Sequence, residues 1–347
     1  MAETMLAARM HQPGEPLRLD EVPVPSPGYG QVLVKVHACG VCGSDVHFVA
    51  GHSPVARTPI TLGHEPAGVV HQAGPGVENA APGQRVAVRP GTRCGECEPC
   101  SLGRDNICER SQVLGMHVDG GLAEFVVVPA QDVIPIPEGV SFAQAAIASD
   151  AVATPYHALI ERGQLRPGET VAVFGCGGLG IHAIRLARLA GAATVVAVDV
   201  QPRALERAQR AGADIVINAG EERPSRAIRK ALGGADLAVE CVGHPDSIGE
   251  AARSLKRGGR AVVVGMGDQP VALPPPNAFT WSENALIGSF GSSAGTLRRI
   301  LAMAASRRLD LSQSVSAVLP LRDVNSALDM LRAPDREVVR VVIEPGR

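Results

Sequence analysis

Four cysteines fall within fifteen residues as Cys94-x2-Cys97-x2-Cys100-x7-Cys108. Four thiolates in one loop close a tetrahedral zinc shell without water, so the spacing predicts a structural metal rather than a catalytic one. A second set is dispersed. Cys42 lies in Gly40-Val41-Cys42-Gly43-Ser44-Asp45-Val46-His47, and His64 with Glu65 in Gly63-His64-Glu65. A catalytic zinc takes three protein ligands and keeps one position open; Cys42 and His64 are natural choices for two of them. Asp45 is available to orient His64. A third group, Gly175-Cys176-Gly177-Gly178-Leu179-Gly180, follows an apolar run and precedes an apolar helical one. Gly175 permits a tight turn, Gly177 lets backbone approach a pyrophosphate, and Gly180 lets helix and strand pack. The helix N-terminus then offers free N–H groups to phosphates. Asp199, nineteen residues past Gly180, is placed to bind a ribose 2′-hydroxyl and repel a 2′-phosphate, which favours NAD over NADP. Arg203, close by, softens that exclusion.

These groups need a frame. The chain has 347 residues, too many for one ordinary core. Up to about residue 150, short apolar runs such as 32–36, 67–70, 85–88 and 124–128 sit between Gly and Pro turns and read as strands. From 170 to about 290 the pattern alternates. Strands are expected at 171–174, 194–198, 214–217, 236–240, 261–264 and 285–287, and helices at 181–189, 204–211, 225–232 and 247–255. Such alternation implies βαβ units and a parallel sheet covered on both faces. Helices at 295–305 and 321–331 and a strand at 338–343 close the chain. With 33 basic and 35 acidic residues the net charge is −2, which argues against a nucleic-acid or anionic-membrane surface. No run of 18 apolar residues occurs and no apolar leader opens the sequence, so a soluble, cytoplasmic protein is expected.

The Gly40–His47 and Gly63-His64-Glu65 motifs, the four-cysteine lobe, and the glycine loop with Asp199 together resemble the zinc-dependent medium-chain dehydrogenase/reductase family. The resemblance runs over nearly the whole length. It implies a GroES-like β-barrel catalytic domain at 1–152 bearing the zinc lobe at 94–108. A Rossmann NAD-binding domain at 153–288 follows, and 289–347 returns to the catalytic domain. It implies two Zn2+ per chain, one catalytic and one structural. Cys42 and His64 become ligands of the catalytic metal, with Asp150 as the third and Glu65 as an exchangeable carboxylate. Thr154 then packs on the nicotinamide, Ser44 and His47 relay the substrate proton, and Arg340 contacts the pyrophosphate. Val242, past the fourth strand of the alternating region, joins the cofactor-binding set with Gly175, Gly177, Gly178, Leu179, Gly180, Asp199 and Arg203. Members pair their Rossmann sheets edge to edge, so a homodimer or homotetramer is expected.

The implied reaction is reversible hydride transfer between an alcohol and NAD, since zinc lowers the pKa of a bound hydroxyl. Two stretches disagree about the substrate. Residues 86–91 lack the aromatic residue that alcohol dehydrogenases often carry before the lobe and look like polyol enzymes. Residues 149–158 look like secondary-alcohol dehydrogenases. A primary or secondary alcohol is the first reading, and a polyol or threonine-type substrate the alternative. A non-catalytic zinc- and NAD-binding protein is the distant one. Thr92, Arg93, Met116 and Met266 are pocket candidates, Arg93 for an anionic substrate tail. Cys39, Cys176 and Cys241 read as core.

Overall fold

In the computed structural model, residues 3–333 and 338–346 are described. The chain divides into two compact units, Met1–Ala153 with Ser292–Arg347, and Thr154–Gly291.

The first unit is built on strand Gln31–Val41, which pairs antiparallel with Glu65–Ala73, Phe125–Pro129 and Arg340–Glu344. Arg85–Val88, Val133–Pro135 and Val315–Pro320 extend the sheet on either side. A small sheet of Arg18–Pro23, Thr4–Met10 and Ile60–Thr61 lies apart from it. The period-2 pattern sorts side chains by face: Val126 and Val128 of Phe125–Pro129 are buried while their neighbours are half-exposed. Val32, Val34, Val36, Val70, Val86, Val88 and Leu122 make one aliphatic core. Each such side chain contributes about 1.5–3 kcal/mol by leaving water. The C-terminal strand returns in the register Val341↔Val41, Val342↔Gly40, Ile343↔Cys39, which delivers Arg340 to the end of the strand that Cys42 follows. Cys39 is fully buried in this core.

The second unit is a six-stranded, all-parallel sheet. Its order is Ile215–Asn218, Thr194–Asp199, Thr170–Phe174, Ala235–Glu240, Leu255–Val263, Ala285–Gly288. Numbered by appearance, this is 3-2-1-4-5-6, the doubly wound arrangement that binds dinucleotides. Its central strands Thr170–Phe174 and Thr194–Asp199 are apolar and buried over 171–174 and 195–198, as cover on both faces requires. The strand order makes Thr170–Phe174 the neighbour of both Thr194–Asp199 and Ala235–Glu240, which gathers the glycine loop, Asp199 and Val242 at one end of the sheet.

Candidate active site

Strand Gln31–Val41 stops at Val41, and Cys42 caps the N-terminus of helix Gly43–Val49. Asp45, in that helix's first turn and fully buried, ties this loop to the next ligand loop. Its Oδ2 accepts the Cys42 N–H at 2.9 Å and its Oδ1 the Gly63 N–H at 3.3 Å. The same Oδ1 faces His64 Nδ1 at 3.7 Å, the relation by which a carboxylate fixes the orientation of a ligating imidazole. Gly63 has φ +92°, and a Cβ there would press on Leu122 and on Cys39 Sγ; only glycine makes this turn without displacing the core. Asp150 sits in a π-helical turn, Ala148–Val152, a distortion that re-aims a side chain and recurs at functional sites.

These loops bring together what the sequence scatters. One ligand atom each from Cys42, His64, Glu65 and Asp150 lies within 4.8 Å of the others. Cys42 Sγ and Asp150 Oδ2 are 3.5 Å apart, and His64 Nε2 is 3.6 Å from the same oxygen. A tetrahedral shell with Zn–S near 2.3 Å and Zn–N or Zn–O near 2.1 Å needs ligand separations of roughly 3.4–3.6 Å. Glu65 is 0% exposed, and neither carboxylate oxygen receives a hydrogen bond. Buried charge without donors is costly unless a cation serves it. Arg340, 2% exposed, supplies one charge, with Nη1 3.3 Å from Glu65 and Nη2 3.7 Å from Asp150. One guanidinium leaves both Glu65 oxygens without a hydrogen bond, and the thiol, imidazole and carboxylate donors gathered here suit a divalent ion. Arg340, expected at a pyrophosphate, therefore lies among these ligands with its side chain buried.

Without a metal, burial and close neighbours move the protons of this cluster strongly. Burial pushes the Cys42 thiol up, but Arg340 and His64 outweigh it and the net direction is down. Burial raises the Glu65 carboxyl well above its usual range, and Arg340 offsets only part. His64 is drawn well up by Asp45 and Asp150 against the opposing effect of burial.

The four-cysteine lobe fits zinc as well. Sγ atoms of Cys94 and Cys100 are 4.0 Å apart and those of Cys97 and Cys108 3.8 Å, against roughly 3.8 Å for a Zn–S tetrahedron. All four are free thiols. The Cys97 N–H donates to Cys94 Sγ at 3.3 Å, and the Cys94 and Arg110 N–H groups to Cys108 Sγ at 3.2 and 3.4 Å. Backbone donors from Glu96 and Cys97 lower the Cys94 thiol to about 6, favouring the thiolate that binds metal. An ion network unforeseen in the sequence roots the lobe. Arg89 Nη1 meets Asp132 at 3.0 Å and Asp105 at 3.4 Å, and Arg93 Nη1 meets Asp105 at 2.9 Å. Arg93, expected at an anionic substrate tail, is committed to this network and to the Gln131 carbonyl. No sequence signal links residues 89, 93, 105 and 132; only the fold does.

In the second unit Gly175 takes φ +87°, Gly177 caps helix Gly178–Leu189, and a Cβ at Gly180 would overlap the Gly175 carbonyl oxygen. Leu179 is half-buried in the helix's first turn. Asp199 receives the Cys176 N–H at 2.7 Å and the Gln201 N–H at 2.9 Å, which fixes its carboxylate at the loop. Arg203 is exposed in the first turn of Pro202–Arg210. Val242 is 52% exposed and held by a residue that the sequence reading passed over: buried Glu240 accepts from the Val242 and Gly243 N–H groups and from Ser247 Oγ. A carboxylate closing a buried strand is the signal that could have found it. Thr154 is buried and opens this unit. Ser44 and His47 lie on Gly43–Val49, three residues apart and on neighbouring positions of one helix face; Ser44 is half-buried and His47 exposed.

Two family patterns match the sequence: Alcohol dehydrogenase GroES-like domain over residues 28–138, and Zinc-binding dehydrogenase over 178–306. An alcohol dehydrogenase of Geobacillus stearothermophilus is 36% identical over 94% of this chain and 96% of its own. The chain belongs to the zinc-dependent medium-chain dehydrogenase/reductase family. It is an oxidoreductase with the GroES-like and Rossmann architecture expected of that family. Sorbitol dehydrogenase of Bacillus subtilis strain 168 is 32% identical over 99% of this chain and 98% of its own. A zinc-binding dehydrogenase of Sinorhizobium meliloti 1021 bound to NADP superposes with a TM-score of 0.89 at 32% identity, covering 99% of this chain and all of that one. No helix among the described residues is long and apolar enough to cross a membrane.

Proposed function

We propose that this dehydrogenase reversibly oxidises a primary or secondary alcohol to an aldehyde or ketone, with hydride passing to NAD. The observation that carries the reading is the cluster of Cys42, His64, Glu65 and Asp150, whose ligand atoms lie within 4.8 Å of one another and whose Glu65 oxygens accept no hydrogen bond. Zinc held by Cys42, His64 and Asp150, with Glu65 as an exchangeable fourth carboxylate, supplies Lewis-acid polarisation of the substrate oxygen when bound. Ser44 Oγ accepts the proton of the substrate hydroxyl and His47 passes it to solvent. Burial, and then the neighbouring His52, hold His47 below the usual histidine value, so it is neutral at pH 7 and free to accept. Arg340 holds Glu65 and Asp150 in place from 3.3 and 3.7 Å. Cys94, Cys97, Cys100 and Cys108 hold a second, structural zinc.

Gly175, Gly177, Gly178, Leu179 and Gly180 seat the cofactor pyrophosphate, with Val242 and Thr154 as further contacts. Asp199 supports NAD over NADP by repelling a 2′-phosphate. Arg203 works the other way, as a cation that a 2′-phosphate could meet. A polyol substrate is the second reading, favoured by the sorbitol dehydrogenase relative. The edge strand Ala285–Gly288, with its own Leu286 and the nearby Phe290 exposed, supports a homodimer or homotetramer; a cytoplasmic location is part of the same proposal.

The test is NAD and NADP reduction at 340 nm with linear, secondary, benzylic and polyol substrates. Chelator-sensitive turnover faster with NAD on a simple alcohol supports the reading. A polyol as best substrate selects the second reading, and no turnover with any of them, zinc and NAD being bound, refutes both.

A further inference from the structure

The dinucleotide-binding unit carries a concavity at the face made by helices Pro224–Leu232, Pro245–Arg253 and Pro276–Ser282. Its volume is about 710 Å³, within the range of small-molecule sites. Five cationic side chains line it: Arg223, Arg226, Arg229, Lys230 and Arg253. The whole chain has a net charge of only −2. Among the described residues one carboxylate answers them, Glu250, 3.0 Å from Arg223 and 3.2 Å from Arg253; five cations less one acid leaves four positive charges. Two guanidinium groups are also held by backbone carbonyls, which neutralise no charge. Arg229 donates through Nε to the Arg253 carbonyl at 2.7 Å and through Nη2 to the Leu255 carbonyl at 2.8 Å. Arg253 Nη2 donates to the Ala272 carbonyl at 2.9 Å. Arg226 and Lys230 are exposed and pair with no acid among the described residues. Like charges three and four apart on a helix repel, costing about 0.2–0.5 kcal/mol per pair, and a bound anion would relieve that cost.

The cavity is not uniformly polar. Phe279 and Pro274 line it as well and are half-buried. An aromatic and a proline ring beside a cationic wall match a ligand with a flat base at one end and a phosphate chain at the other. The site is also apart from the cofactor loop. Lys230, Arg253 and Asn284 precede strands Ala235–Glu240, Leu255–Val263 and Ala285–Gly288, whereas Gly175, Asp199 and Val242 lie at the carboxyl ends of theirs.

We propose that this cavity binds a nucleoside triphosphate, its phosphates against Arg226 and Lys230 and its base against Phe279 and Pro274. Trp281, the only tryptophan and 79% exposed on Pro276–Ser282, is a built-in reporter. The full chain, saturated with NAD so that the cofactor loop is filled, is titrated with magnesium-free ATP by calorimetry and by Trp281 emission. The expected result is one ATP per chain, with affinity falling about tenfold or more in Arg226→Ala/Lys230→Ala. The charge-conserving Arg226→Lys/Lys230→Arg should stay within about threefold of the parent and guards against a folding artefact. Tripolyphosphate should bind about tenfold more weakly than ATP for want of the base contact. The proposal is overturned by absence of saturable binding with NAD present, by competition between ATP and NAD, by unchanged affinity in the alanine variant, or by tripolyphosphate binding as tightly as ATP.

Discussion

Asp45→Asn isolates the residue that joins the two ligand loops. Asp45 accepts two backbone N–H groups, from Cys42 at 2.9 Å and Gly63 at 3.3 Å, and faces His64 Nδ1 at 3.7 Å. Asparagine has the same shape but a single accepting oxygen, so one amide must meet an NH2 group. Hydrogen bonds to a charged partner contribute about 1.5–3 kcal/mol, and a buried unsatisfied N–H costs about 1–3 kcal/mol. Part of that loss falls on folding and part on the metal site, because His64 also loses its anionic partner. Loss of such partners lowers metal affinity about 10–100-fold, or roughly 1.4–2.7 kcal/mol. Among the described residues no hydrogen bond or ion pair of Asp45 reaches the lobe at Cys94–Cys108, which should keep its metal. The assay is a graded chelator titration with zinc measured per chain. The variant should pass from two zinc to one at about 10–100-fold lower chelator strength than the parent, with turnover lost in step. Release of both zincs at the parent's chelator strength, with turnover unchanged, would refute the reasoning.

Three further outcomes follow from the same structure. Cys100→Ser should leave one zinc per chain and lower the melting temperature by about 5 °C or more; differential scanning calorimetry with metal analysis checks it, and an unchanged melting temperature with two zincs would contradict the structural role. Gly180→Ala puts a methyl group into the Gly175 carbonyl, so NAD binding by calorimetry should weaken about tenfold or more, with a stability loss of about 1–3 kcal/mol. Burial pushes the Asp132 carboxyl up to about 6 despite Arg89 and Arg93. A folded value above the ordinary 3.8 means that its favourable contribution is complete below that value and is lost as pH rises through about 6. Relative to Asp132→Asn, the parent should therefore lose up to about 3 kcal/mol between pH 4 and 7, measured by urea unfolding; a relative gain over that window would mean that Arg89 and Arg93 outweigh burial.

What could be read in the sequence was what is local. The cysteine spacing at 94–108 is a contiguous pattern, and the glycine loop announces itself because a strand period of two gives way to a helical one at Gly175. Cys42, His64 and Asp150 are separated by 22 and 86 residues, and no periodicity connects them; they became a set through family resemblance, and the fold then brought their ligand atoms together. Long-range pairing was the hidden part. Arg340 reaches Glu65 because Arg340–Glu344 pairs with Gln31–Val41 in one register, which nothing in residues 338–343 specifies. Arg93 has the charge for an anionic substrate, but Asp105 and Asp132 converge on it from different loops. The π-turn that aims Asp150 is invisible to pattern reading, since apolar residues on both sides satisfy an ordinary helix equally well. Strand Val315–Pro320 also went unseen: its residues are mostly half-exposed and give no clean alternation.

The most direct test of the account is zinc content and alcohol-dependent NAD reduction measured side by side on the parent chain and on Asp150→Ala. The account predicts two zincs and chelator-sensitive turnover in the parent. In the variant it predicts one zinc, held by the cysteine lobe, and turnover reduced by about a hundredfold or more. Two zincs and undiminished turnover in Asp150→Ala would contradict it.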